Sequence, residues 1–203
     1  MKLYNSVGPN PRVVRMFMAE RGIEIPKQDI DLRGGENRRE PYTSVNPTAT
    51  MPALEVDDGS VLSEITAICE YLDETTPGVS LIGSNARERA ETRMWTRRID
   101  LAIVEPLTNG FRYSEGLKLF QNRIHVIPQA ADDLKQIAQE KLAWLDRLMA
   151  GKTFVCGNRF TLADVLLFCF LDFGNSVGQK CSSDLKNIDA WFTRVKARPS
   201  TAA

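Results

Sequence analysis

The stretch "TATMPALEVDDGSVLSE", residues 48–64, constrains the fold more than any other part of this chain. Residues 53–56 and 60–62 are β-prone runs joined by Asp57-Asp58-Gly59, and a short Asp-Gly between such runs is the strongest local hairpin signal. Pro52 has no N–H to give to a ladder, so it belongs at the first residue of a strand or on an edge. Glu64 then leads into Ile65, Ala67, Ile68, Tyr71 and Leu72, which carry the 3–4 spacing of an amphipathic helix. The segment therefore reads as proline, strand, turn, strand, acid, helix.

Ahead of it, "MKLYN" is a short strand signal. Asn10-Pro11 suits a helix start, with Asn10 as N-cap and Pro11 at the first helical position, and Gly22 stands where such a helix stops. "GIEIPKQDIDL" supplies a second strand in which Ile23 and Ile25 alternate with polar neighbours before Pro26. Residues 33–47 are charged and poorly periodic, a surface loop with room for a short helix. Residues 74–85 are rich in turn formers and read as a linker. Everything beyond is helical in pattern. Leu134, Ile137, Ala138, Lys141, Leu142, Leu145 and Leu148 keep a helical spacing, and "FTLADVLLFCFLDF" is apolar nearly all round, as in a helix at the centre of a bundle. Thr161 with Asp164 forms a capping-box arrangement and is assigned to folding.

The 203 residues suffice for one large domain or two small ones, and Lys+Arg balances Asp+Glu at 26 each. With no net field, neither nucleic acid nor an anionic membrane is an expected partner. No apolar run approaches the roughly 20 residues of a membrane span, and the first residues lack a signal-peptide core, so a cytoplasmic location is expected. Cys69, Cys156, Cys169 and Cys181 show no metal spacing, and the single histidine, His125, makes a metal site or a Ser-His-Asp triad hard to build; no metal is expected. Cys69 reads as a structural thiol, His125 as a polar residue opening a long helix, and Arg97, Arg98 and Asp100 as a salt-bridged or interface-lining helix surface.

The runs "LYNSVGPNPRVVRMFMAERGI", "NPTATMPALEVDDGSVLSEITAICEYLDE" and "GNRFTLADVLLF" together resemble the cytosolic glutathione transferases over essentially the whole chain. Within that family the "PNPRVVR" run is similar to bacterial and fungal members related to the yeast prion-type nitrogen regulator. The resemblance implies an α/β thioredoxin-like domain over residues 1–76, a linker over 77–85 and an all-α helical bundle over 86–203 carrying the acceptor-substrate pocket. It also implies a cis Pro52 that turns the backbone of Met51 toward the cysteinyl part of glutathione. Glu64 would face the γ-glutamyl ammonium, while the N–H groups of Ile65 and Thr66 receive the neighbouring carboxylate. Many members have a serine where this chain has Ile65, and a lysine or glutamine where it has Thr50, so some side-chain contacts of the family are absent here. Arg38 and Arg39 are candidates for the glycyl carboxylate, and Phe111 and Tyr113, with Phe120, for walls of the acceptor pocket.

Three donors stand near the first strand and helix as thiol activators: Asn10, then Ser6, then Tyr4. No cysteine accompanies them, so a mixed disulfide there is not expected. The leading functional expectation is a detoxifying transferase that directs glutathione at a small apolar electrophile. Two alternatives stay open: a glutathione-dependent disulfide or peroxide reductase, and a non-catalytic binding or scaffold protein of the same fold. A homodimer, with the first half of one chain against the helices of the other, is implied by the family.

Overall fold

Pro26 decides where the second strand begins. The computed structural model, which describes residues 1–203, places β2 at Lys27–Asp29, beyond the proline, and not over Ile23 and Ile25. Proline cannot donate to a ladder, so pairing with β1 (Lys2–Asn5) opens with the Pro26 carbonyl accepting the Leu3 N–H at 2.9 Å. It continues in parallel through Leu3–Lys27, Tyr4–Gln28 and Asn5–Asp29. Parallel neighbours need a crossover, and α1 (Pro9–Arg21) supplies it, ending at Gly22 in the left-handed conformation. The expected hairpin is present as β3 (Ala53–Glu55) and β4 (Val61–Ser63), turning at Gly59 with φ 83°. The sheet order is β2-β1-β3-β4, with β3 antiparallel to both neighbours.

Alternation along the strands sorts side chains to opposite faces. Leu3 and Leu54, paired across β1 and β3, are fully buried on one face. Tyr4 and Ala53 point to the other, where they pack with Ile30, Tyr42 and Met51. Tyr42 comes from α2 (Tyr42–Val45), a single turn that follows a 3-10 turn at Glu36–Arg38; these fill the segment read as a loop. α3 (Ile65–Thr75) packs on α1. A buried ion pair fixes their ends: Arg21 Nε lies 3.1 Å from Asp73 Oδ1, with side chains only 2% and 5% exposed. Arg21 also donates to the carbonyls of Thr76 and Val79, both at 2.6 Å, and Asp73 accepts from Ser80 Oγ and the Leu81 N–H. Removing one partner would strand a buried charge.

The chain divides into two compact units, Met1–Ser84 with Pro199–Ala203, and Asn85–Arg198. The closing 3-10 turn, Pro199–Ala202, belongs to the first unit: Arg12 donates to the Thr201 carbonyl at 2.9 Å, and Ser200 Oγ donates to Glu20.

The second unit is helical. α4 (Ala86–Ile99) is capped by Asn85, whose side chain accepts the Glu88 N–H. A π-turn at Asp100–Val104 joins it to α5 (Glu105–Tyr113), just before Pro106, which has no N–H for the regular ladder. α6 (Leu117–Phe120), α7 (Ala131–Leu148), α8 (Leu162–Ser176) and α9 (Lys186–Lys196) follow. α8 is buried along most of its length. α7 buries Ala131, Ala138, Leu142 and Leu145, whereas Ile137 and Leu148 on the expected stripe are exposed. His125 lies in the connection before α7 and opens no helix; α7 starts six residues later, after a 3-10 turn at Pro128–Ala130.

At the foot of α8, Asp164 is completely buried. It accepts the N–H groups of Thr161 and Val155, both at 2.9 Å, the Trp191 Nε1–H at 2.8 Å and the Thr161 hydroxyl at 3.2 Å. Burial outweighs these donors and pushes its carboxyl up to about 6. No helix is long and apolar enough to cross a membrane.

Candidate functional site

Register brings three segments to one end of the sheet. Ala53 pairs with Tyr4 on one side and Ser63 on the other. One step further along β3, Met51-Pro52 therefore adjoins both Glu64-Ile65 and the β1–α1 junction at Asn5-Ser6.

At that junction Gly8 takes φ 107°, a conformation L side chains rarely adopt, and serves as the N-cap of α1. Pro9 holds the first helical position, where its fixed φ and missing N–H fit. Asn10 is thus the second helical residue and Pro11 the third, which corrects the expectation of an Asn10 cap; Gly8 had already set the turn. Because Pro9 and Pro11 carry no N–H, Asn10 supplies the only backbone donor among the first three positions. Its half-buried side chain makes no capping bond, so two donors of one residue stand at the positive end of the helix.

The other two thiol candidates are committed elsewhere. Ser6 is buried, and its hydroxyl donates to the Ile30 carbonyl at 2.7 Å. Tyr4 faces the α2 side of the sheet, and its phenol donates to Glu55 Oε2 at 2.7 Å. Bonds from Tyr4 and then Lys2 hold the Glu55 carboxyl below the usual carboxylate range. A neighbouring network was not visible in the sequence: Arg15 Nη1 donates to Asn5 Oδ1 at 2.6 Å and to the Ser6 carbonyl at 3.0 Å, while Asn5 Nδ2 donates to Asp29. These partners lie up to 24 residues apart, beyond any local pattern.

The Met51-Pro52 peptide is cis, as expected, and so is Glu40-Pro41, which was not expected. Neither the N–H nor the C=O of Met51 pairs with another backbone group, although its side chain is buried in the cluster with Tyr4 and Tyr42. Thr50 is exposed, and its hydroxyl pairs with that of Thr48 at 2.7 Å.

Glu64 is exposed with φ 70°, one of two non-glycine residues in the left-handed region. Such a conformation costs on the order of 1–3 kcal/mol and concentrates at functional sites. It turns the chain into α3, whose first turn contains no acidic residue and no side-chain cap. The N–H groups of Ile65 and Thr66 are therefore available to an anion. Arg38 and Arg39 are exposed at the end of the Glu36–Arg38 turn, where Arg39 donates to the Gly34 carbonyl at 3.0 Å.

In the second unit, Phe111 and Tyr113 occupy the last turn of α5, both partly buried. Phe111 packs edge-on against Phe173, with centroids 4.9 Å apart, and against Phe120 at 6.0 Å. Gly116 leaves room for the ring, since a Cβ there would come within 2.8 Å of it. The Gln179 amide lies against the same turn, and oriented with its nitrogen toward the Leu107 carbonyl (3.3 Å) its oxygen accepts the Phe111 N–H (3.1 Å).

Residues 7–75 match the family model described as glutathione S-transferase, N-terminal domain, and residues 103–199 match that of the glutathione S-transferase C-terminal domain. Glutathione S-transferase 2 of Saccharomyces cerevisiae is 28% identical, over 98% of this chain and 87% of its own length. Glutathione S-transferase GstA of Escherichia coli O157:H7 is 27% identical, over 98% of this chain and 94% of its own. The crystal structure of a glutathione S-transferase domain-containing protein from Marinobacter aquaeolei superposes with a TM-score of 0.93 at 34% identity, covering 99% of this chain and all of that one.

Proposed function

This chain belongs to the glutathione S-transferase family, and we propose that it is a glutathione transferase that activates the thiol for attack on a small apolar electrophile. The observation that carries this is the convergence of Met51, Glu64 and the start of α1 at one end of the sheet, each with unused bonding capacity. The γ-glutamyl carboxylate meets the uncapped N–H groups of Ile65 and Thr66, and its ammonium meets the Glu64 carboxylate. The cysteinyl backbone pairs with the N–H and C=O of Met51 like an added strand. The glycyl carboxylate is assigned to Arg38 and Arg39, which are exposed.

A free thiol ionises near pH 8.5, and lowering that by two units takes about 2.7 kcal/mol. One hydrogen bond to a charged group supplies about 1.5–3 kcal/mol, and a helix N-terminus adds about 0.3–1. Asn10 answers both needs. Ser6 ranks second because its proton goes to Ile30, and Tyr4 third because its proton goes to Glu55. The thiolate sulfur then forms a bond to an electrophilic carbon. A leaving group departs with the displaced electron pair, or the pair moves into an acceptor conjugated with that carbon. Phe111 and Tyr113 are assigned to the acceptor. The absence of cysteine between β1 and α1 favours transfer over a mixed-disulfide reductase.

A homodimer, a cytoplasmic location and a detoxifying role complete the proposal. Dimerisation draws support from charge. Residues 1–84 contain 13 acidic and 8 basic side chains, whereas the remainder contains 13 acidic and 18 basic. The first unit of one copy and the second of another are therefore electrostatically complementary.

Calorimetric titration with glutathione tests the function. Saturable binding, weakened by about 10- to 100-fold in Glu64→Ala, is expected for a lost charge-assisted contact. No binding by the intact chain overturns the proposal and leaves the fold to serve a scaffold.

A further inference from the structure

A peptide group is planar, so the carbonyl of residue 50 and the N–H of residue 51 are opposite ends of one rigid plate. Thr50's carbonyl receives two side-chain donors, the Tyr42 hydroxyl at 2.6 Å and Asn46 Nδ2 at 3.0 Å. Both of its lone-pair directions are thereby engaged. The preceding plate is held as well, since Asn37 Nδ2 donates to the Ala49 carbonyl at 2.5 Å. All three donors are buried, at 2%, 3% and 5% exposure for Tyr42, Asn46 and Asn37. Immediately before the held plates, Ala49 sits at φ 56°, which alanine disfavours.

Stability alone does not account for this arrangement. Asn37 Oδ1 is buried without a partner, and an orphaned buried acceptor carries its full desolvation cost. A loop selected only to be stable would lose both that amide and the left-handed alanine. What the three side chains do secure is direction. With the Thr50 carbonyl fixed, the free end of the same plate, the Met51 N–H, points to the opposite side and meets no partner within the backbone. Hydrogen bonds weaken steeply once the donor angle falls toward about 120°, so a small rotation of the plate would forfeit the contact.

We propose that Tyr42, Asn46 and Asn37 are positioning residues, which aim the Met51 N–H at the peptide backbone of the bound tripeptide without touching it. The inference rests on the glutathione-binding proposal above and extends it to residues with no assigned part in binding. The three come from α2, the loop after it and the turn before it. Their shared target is a single stretch of main chain.

The test is amide hydrogen exchange at Met51 in the 15N-labelled full chain, with and without saturating glutathione. Glutathione slows exchange at Met51 by about tenfold or more in the wild type, as for an amide entering a hydrogen bond. Tyr42→Phe, which deletes one oxygen, reduces that slowing to about threefold or less and raises KM for glutathione by about tenfold, with kcat changed far less. Asn46→Ser removes the other donor to the same carbonyl and behaves alike, so either variant that retains the native circular dichroism serves. A loop with a merely structural role would shift the melting temperature but leave the glutathione-dependent slowing intact in the folded variants. That result overturns the proposal. So does wild-type binding that leaves Met51 exchange unchanged, an outcome that needs no variant to fold. Failure of the wild type to bind glutathione in calorimetry is a separate result, which refutes the ligand and not the aiming.

Discussion

Two polar regions of this molecule, the foot of α8 and one end of the sheet, treat their hydrogen bonds in opposite ways. Around Asp164 every acceptor is used: two backbone N–H groups, an indole and a hydroxyl converge on one carboxylate. At the sheet end near Met51 and Glu64, donors are held in position and left open, and two residues accept left-handed backbone. A fully satisfied cluster closes on itself and specifies a fold. A partly satisfied one, braced by buried side chains, retains capacity for something outside the chain. The difference distinguishes residues committed to folding from those proposed to bind without recourse to their chemical type, since each region contains an acidic side chain.

The largest expected effect breaks the folding cluster. Asp164→Ala strands three buried N–H donors and lowers stability by about 3–5 kcal/mol in urea denaturation. A loss below about 1 kcal/mol would show that the cluster adds little to folding. The same carboxyl gives a pH signature. Its folded-state value of about 6 lies above the usual 3.8, so between those values the folded chain holds the proton that the unfolded chain releases. Stability from this group therefore falls as pH rises through that window. The advantage of wild type over Asp164→Asn should shrink there by on the order of 2 kcal/mol. A constant difference from pH 4 to 6 would contradict the burial argument.

The proposed binding region should respond in the reverse sense. Glu64→Gly removes the carboxylate and relieves the left-handed strain. Thermal unfolding should show stability unchanged or raised by up to about 1 kcal/mol, while glutathione affinity falls about 10- to 100-fold. A marked loss of stability with affinity intact would move Glu64 into the folding class. A smaller effect is expected of Asn10→Ala. The ultraviolet thiolate band of bound glutathione should titrate about one unit higher, with the fold unaffected. An unmoved titration would transfer the role to Ser6. The smallest effect concerns charge: sedimentation should show the dimer dissociating several-fold more readily as salt rises from about 0.05 to about 0.5 M. A salt-independent mass would remove electrostatic complementarity as the basis of assembly.

Legibility in the sequence followed the range of the interactions. Asp57-Asp58-Gly59 declares its hairpin because the turn depends on adjacent residues. The apolar run of α8 likewise declares a buried helix. Pro52 and Glu64 stand out because each breaks a local rule, a proline beside a strand and an acid before an apolar helix, and the structure gives them a cis bond and a left-handed backbone. Errors arose where two local signals competed. Asn10 looked like a cap, but Gly8 and Pro9 had already begun α1. Ile23 and Ile25 alternate like a strand, yet the Ile23 N–H is spent on the Met18 carbonyl that closes α1, and the ladder starts only beyond Pro26. His125 precedes α7, which starts at Ala131 after its own 3-10 turn.

By itself, then, the sequence determined the order of elements, the division between a mixed sheet and a helical half, and the identities of Met51, Pro52 and Glu64 as the residues to watch. Periodicity, caps and turns act within a few residues, so they are written along the chain. Only the tertiary structure decided which donors remain free. Tyr4 is spent on Glu55, 51 residues away, Ser6 on Ile30, 24 away, and Arg21 on residues more than 50 away. A hydrogen-bonding group has limited capacity. Whether it serves the fold or a ligand depends on which distant partner the packing brings within about 3 Å of it.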